Sequence, residues 1–320
     1  MSVLVYTENW DGKFKKLSFE LVSYASKVAE MVGGEAVALS IGNVENAELE
    51  KLAQYGAKKI ITVDPATQAF DEQAYTKVIA EVAQKLGAKV VVLANNNKGK
   101  ALAPRLSVRL KAALGAGVSK LPVSTSPFVV YKKVYSGKAF SDIELKSDVK
   151  ILTLAQNSFD ITTNPQAVVI EKMDVAAGDI KTEVKNVEKQ TGKILLTDAE
   201  IVVSGGRGMK SPDNWGPLEE LANLLGAATA CSRPVSDEGW RPHGEHTGQT
   251  GKIIAPNLYF AIGISGATQH IAGISSTKYI VAVNSDKDAP IFEAAQYGII
   301  GDAMKVLPKL VDAVKEMKSK

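Results

Sequence analysis

The chain has one cysteine, three histidines and no long apolar run. A single cysteine excludes a disulfide framework and fits a reducing compartment. No apolar stretch approaches the roughly 20 residues a membrane span needs, so no stable membrane insertion is expected. Charge of one sign is scarce too. Lys and Arg number 38 against 35 Asp and Glu in 320 residues, a net of +3, and the two signs are mixed along the chain. That balance offers no nucleic-acid surface. Met1 leads straight into Val3-Leu4-Val5-Tyr6, with neither a signal-peptide pattern nor an Arg- and Ser-rich transit pattern. The expectation is a bacterial-type cytoplasmic protein; a matrix location requires that a presequence was removed. What remains, 45% hydrophobic and 23% charged, is the composition of an ordinary globular protein, and the length suggests two domains.

Along the first half, short apolar runs alternate with segments of helical period. Strands are expected at 3–6, 35–41, 59–63 and 90–94, and helices at 17–32, 46–55, 70–86 and 98–113, several of them stopped by glycine. Such alternation makes βαβ units and a mostly parallel sheet. From about Gly117 the rhythm changes. Runs at 128–134, 136–140, 149–154 and 167–170 read as β-rich additions, open to antiparallel pairing, that look like docking surface as much as core. Charged residues from Asp174 to Thr191 lack an apolar period, and the domain boundary is placed there, giving domains 1–190 and 191–320. Strand character resumes at 194–196 and 201–203, then at Ala228, 258–262 and 279–283. Helices are expected at 217–225, 290–295 and 303–316.

The second domain holds the unusual chemistry. Of 26 glycines, 14 lie between Gly205 and Gly301, under a third of the chain. Cys231 and all three histidines, His243, His246 and His270, fall within 231–274, together with Thr247-Gly248-Gln249-Thr250-Gly251 and Gly263-Ile264-Ser265-Gly266-Ala267-Thr268. Small residues let backbone approach a ligand, and hydroxyls and amides supply hydrogen bonds. This pattern predicts a polar cofactor gripped by main chain and short side chains. Ser204-Gly205-Gly206-Arg207-Gly208, between a strand and a helix, fits a phosphate or dinucleotide grip but also a plain βα turn; it is neither G-x-G-x-x-G nor a P-loop. A helix is expected to open at Ser265, with His270 in its early turns. Asn284 and Asp302 sit at strand ends, the edge at which open α/β sheets bind ligands.

The same residues admit other chemistries. His243, His246 and Cys231 or His270 as zinc ligands lack helical presentation and the H-E-x-x-H pattern, so the two loop histidines are expected to face solvent or a partner. Cys231 in an Ala-rich run reads as a small buried filler before it reads as a nucleophile. Arg233 fits either a surface ion pair or a ligand ring, and His270 either a capping or core role or a ligand contact.

The motifs above, in order with Ala255-Pro256, Ile280-Val281-Ala282-Val283-Asn284, Ala289-Pro290-Ile291-Phe292 and Tyr297-Gly298-Ile299-Ile300-Gly301-Asp302, resemble the α subunit of electron transfer flavoprotein from about Ile201 to Leu310. The first domain matches more loosely. Thr268, where many members carry an aliphatic residue, and the variable loop 241–246 depart from the pattern. The resemblance implies an N-terminal α/β domain and a Rossmann-like doubly wound FAD-binding domain. It implies a heterodimer with a smaller β subunit, one FAD, acyl-CoA or related dehydrogenases as donors, and a quinone oxidoreductase or other acceptor. The protein carries electrons and turns over no substrate of its own. Cofactor contacts carried over by motif are Arg207, Ser232, Arg233, Gly248, Gln249, Thr250, Ser265, Gly266, Ala267, Thr268, Gln269, His270, Asn284, Asp302 and Ala303. A bifurcating flavoprotein using NADH, an NAD(P)-dependent oxidoreductase and a zinc hydrolase are the alternatives left open.

Overall fold

Ser2–Tyr6, Glu35–Ile41, Lys59–Val63 and Ala88–Ala94 are aliphatic runs too apolar for a sheet with one wet face, and nearly every residue in them is buried. They form the centre of a ten-stranded sheet. The computed structural model of the protein describes residues 1–64, 70–176, 178, 183–187 and 194–319. The chain divides into two compact units, Met1–Val187 and Glu188–Lys320. The boundary expected between residues 190 and 191 lies outside the described residues.

In the first unit the strand order is 139–144, 128–134, 113–118, 150–154, 88–94, 2–6, 35–41, 59–63, 169–172, and the tenth strand, 124–125, pairs with 128–134 off this path. From 113–118 to 169–172 every pairing is parallel. Lys16–Met31 covers one face, packing Leu21, Val22 and Val28 over Val3, Val5 and Val92. Glu72–Lys85 and Asn97–Leu110 cover the other, with Ile79, Val82 and Leu102 over Leu4, Leu39 and Val91. Asp71 and Asn96 cap these two helices by accepting from backbone N–H groups of the first turn.

Several expectations need correction here. The helix expected to run to residue 113 ends at Leu110, because Lys111 turns left-handed, and Ala113–Val118 is a strand. Gly115 is a packing residue and not a helix stop: a Cβ there would lie 3.1 Å from Leu152 and 3.3 Å from Leu145 and Val130. Of the expected additions, 128–134 pairs antiparallel with 139–144; the short strand Ser124–Thr125 and the end of 113–118 also pair antiparallel with 128–134. Lys150–Leu154 sits inside the parallel sheet between 88–94 and 113–118, and Val169–Lys172 extends it in parallel at the far edge. Residues 46–55 are one α-helical turn followed by a 3-10 turn. Residues 194–196 form no strand.

The second unit is a five-stranded, wholly parallel sheet in the order 228–231, 201–205, 258–262, 279–284, 297–300. Alternate residues serve opposite faces. Val203, Ile262 and Val283 meet Gly216–Leu225 and Ala303–Ser319 through Leu218, Leu221, Leu307 and Val311. Val202, Tyr259, Ala261 and Ala282 meet Ile254, Ile274 and Ile291 on the other face. Counting strands in chain order, the sheet runs 2-1-3-4-5. Strands 201–205 and 258–262 are therefore neighbours whose crossovers leave in opposite directions, and their carboxyl ends open a crevice.

Candidate functional site

Two glycine turns meet in that crevice. Gly206 follows one strand and Gly263 the other, and their backbones touch. The Gly206 amide donates to Ile262 O at 2.9 Å, and the Gly208 amide donates to Gly263 O at 3.0 Å. A Cβ on Gly206 would lie 2.2 Å from Gly263 O, and one on Gly208 would lie 2.6 Å from Gly263 Cα. No other residue fits either position unless backbone moves. A third turn, 247–251, is drawn in the same way. A Cβ on Gly273 would lie 2.4 Å from Gly248 Cα, and the Gln249 amide donates to Gln269 O at 2.8 Å.

The cavity between these turns measures about 600 Å³, within the usual range for small-molecule sites. Its wall gathers Arg207, Ser232, Arg233, Gly248, Gln249, Thr250, Ser265, Gly266, Ala267, Gln269, His270 and Asn284 from the sequence expectations. Thr268, Asp302 and Ala303 lie outside it. Asp302 accepts from Lys210 Nζ at 2.7 Å and from the Met304 amide at the start of the last helix. Lys210 together with that amide holds the Asp302 carboxyl below its ordinary range.

Arg233 opens the short helix Arg233–Asp237. Its Nε donates to Asp237 Oδ2 at 3.2 Å and its Nη1 to Thr250 Oγ1 at 3.3 Å, so two expected contacts are joined directly. Asn284 closes strand 279–284 and donates to Ile264 O at 2.9 Å, holding the Ile264–Gly266 turn. Gly266 has φ +89°, and a Cβ there would lie 2.4 Å from the Ile291 amide nitrogen. The helix expected to open at Ser265 begins at Thr268 and is only seven residues long. Ser265–Ala267 is instead a loop whose three amides donate to no acceptor among the described residues.

The histidines divide sharply. His243 Nδ1 pairs with Ser236 Oγ at 2.8 Å, outside the cavity wall. His246 was expected to face solvent or a partner. It is buried, lines the cavity and lies on the 248–251 turn, where a Cβ on Gly251 would meet its ring at 2.7 Å. Burial lowers its pKa, the positive Arg233 adds to this, and Asp237 opposes it. Loop variability hid this residue; the signal was Gly251, five residues on, which makes room for the ring. His270 is buried, and its Nε2 lies 2.9 Å from the Tyr259 hydroxyl. Burial pushes its pKa down to about 4, so it is neutral near pH 7.

Cys231 is fully enclosed among Val203, Trp215 and Leu218, and burial pushes its thiol up to about 12. A group so far from ionising is no nucleophile at neutral pH. Among the described residues no three His, Cys, Asp or Glu side chains gather where they could hold a metal ion. No helix among them is long and apolar enough to cross a membrane.

An anion fits the free amides of 265–267, and a polar ring system fits the wall of hydroxyls, amides and Arg233. The glycine contacts leave no side chain in the way. Comparison with known proteins agrees with this chemistry. Residues 195–275 match the electron transfer flavoprotein FAD-binding domain, and residues 3–183 match the electron transfer flavoprotein domain. The chain is 36% identical over 316 residues to the electron transfer flavoprotein subunit alpha of Syntrophomonas wolfei, covering 98% of both chains. It is 34% identical over 319 residues to the same subunit of Bacillus subtilis, again covering 98% of each. It is also 34% identical over 354 residues to the acryloyl-CoA reductase electron transfer subunit beta of Anaerotignum propionicum, covering 99% of this chain and 96% of that one.

Proposed function

The chain belongs to the electron transfer flavoprotein alpha-subunit family, with FAD as its cofactor, and from that premise we propose how its residues hold the flavin and which electrons it carries. Bound FAD accepts and releases electrons, which no side chain here can do; the protein supplies binding, orientation and local charge. The amides of Ser265, Gly266 and Ala267 take the diphosphate. Arg233, steadied by Asp237 and Thr250, would offer the ring system a fixed positive charge, which favours the reduced, more negative form. Gln249 and Thr250 reach the ring edge, and His270 serves as a neutral donor. Asn284 sets the turn that carries the amides. Arg207 and Ser232 complete the wall, and Asp302 and Ala303, outside it, would serve the ribose or adenine end.

The protein works as a heterodimer with a β subunit. It takes electrons from acyl-CoA or related dehydrogenases and passes them to a quinone oxidoreductase or another acceptor. The observation that carries this reading is the meeting of three glycine turns at the switch point, lined by the joined Arg233 and Thr250. The relative named for acryloyl-CoA reductase supports an acyl-CoA oxidoreductase as the redox partner. The test mixes the purified heterodimer with an acyl-CoA dehydrogenase and its substrate, or with NADH alone, without oxygen. Bleaching of the flavin by the dehydrogenase system and not by NADH is expected. Bleaching by NADH alone would replace this reading with the bifurcating or NAD(P)-dependent one.

A further inference from the structure

We propose that Tyr259 is a positioning residue for His270: its phenol donates to Nε2 and holds the ring as the neutral tautomer that carries its proton on Nδ1. The Tyr259 Oη to His270 Nε2 distance is 2.9 Å, and the rings are tilted at 53° with centroids 6.1 Å apart. Tyr259 has no exposed surface and His270 is 6% exposed, so water competes for neither group. A bond between phenol and imidazole can run in either direction, and the neighbouring groups decide it.

Ser204 lies on the adjacent strand, on the face Tyr259 shares, and its hydroxyl has no hydrogen-bond partner among the described residues. Among the described residues the Tyr259 hydroxyl is paired with Nε2 and Ser204 Oγ takes no part, so a phenol that accepted from Nε2 would leave its own buried hydrogen unpaired, whereas one that donates does not. On the far side of the ring, Nδ1 is buried without a hydrogen-bond partner among the described residues, on a side chain that lines the cavity, so the hydrogen it carries is left for a bound ligand.

The consequence is one of ligand class. A second positive charge beside Arg233 is disfavoured by the burial of the His270 ring. Arg233, Asp237 and His246 line the same cavity as the His270 ring. His270 therefore meets the bound ring as a fixed neutral N–H donor suited to a carbonyl or ring-nitrogen acceptor. This electronic consequence rests on the FAD reading of the cavity; the tautomer does not.

The test uses the 15N-labelled heterodimer with FAD bound. Long-range proton–nitrogen spectra read the ring, which is assigned by its loss in His270→Asn. The native ring is expected to carry its proton on Nδ1, with Nε2 bare, from about pH 8 down to about pH 5.5. In Tyr259→Phe, which keeps the ring volume, Nε2 should gain the proton in a large share of molecules and the flavin potential should fall. A native ring protonated on Nε2 would overturn the proposal, and that measurement stands even if the variant fails to fold. An unchanged tautomer in Tyr259→Phe, or a changed one with an unmoved flavin potential, would overturn it too. A colourless preparation would instead sink the FAD reading, and would be seen before any tautomer is measured.

Discussion

At the scale of single residues the site runs on two bases of different kinds. Arg233 is a permanent charge that is largely exposed, tied to Asp237 and Thr250. Exposed ion pairs contribute roughly 0.2–1 kcal/mol, and 1.4 kcal/mol corresponds to about 59 mV for one electron. Arg233→Ala should thus lower the flavin potential by only about 10–40 mV and leave the fold intact. Reductive titration against a dye of known potential checks this; an unmoved potential with normal FAD content would remove Arg233 from the ring. His270 behaves oppositely. Its folded pKa, about 4, is below the ordinary 6.5, so between those values the unfolded chain binds the extra proton. Its contribution to stability is present above pH 6.5 and is lost as pH falls toward 4. The shift is worth on the order of 3 kcal/mol. His270→Asn should lose clearly less stability than the native protein between about pH 6.5 and pH 4.5. Urea unfolding at the two pH values measures it, and parallel losses would show that His270 is not held neutral. Most of the wall could be read from motifs, because glycine, hydroxyl and arginine positions leave their mark in sequence. The Tyr259–His270 bond could not. Tyr259 sits in an apolar strand as an ordinary core residue, and its partner comes from the next helix.

At the scale of elements, strands 201–205, 258–262 and 279–284 were legible because aliphatic runs between glycines leave few alternatives. Tyr297–Ile300 was not read as a strand. All four residues are exposed at a sheet edge, so no burial pattern marks it. Ala113–Val118 was obscured by two glycines that imitate a helix stop. The turns are where glycine decides most. Gly206→Ala would place a methyl 2.2 Å from a carbonyl that already accepts a hydrogen bond from Gly208. Such overpacking costs typically about 1–3 kcal/mol. The variant should unfold at lower urea and be purified with little flavin. Gly216→Ala is the control. Nothing lies within 4 Å of a Cβ there, it begins helix Gly216–Leu225, and it should be neutral or gain up to about 1 kcal/mol. Equal behaviour of the two variants would show that the close approach of Gly206 and Gly263 does not support the site.

At the scale of the whole molecule, two units of α/β architecture repeat one theme, a mostly parallel sheet with helices on both faces, yet the glycine-lined crevice belongs to the second. Composition alone pointed there, since over half the glycines fall in less than a third of the chain. The central claim is that this unit holds FAD through backbone and short side chains without a covalent link. The most direct measurement is the flavin count of the purified heterodimer after mild denaturation, with the released flavin identified by chromatography. One FAD per copy of this chain, wholly in the supernatant, is the result the site predicts. Flavin that stays with the precipitated protein, or a heterodimer with no flavin at the second unit, would contradict it.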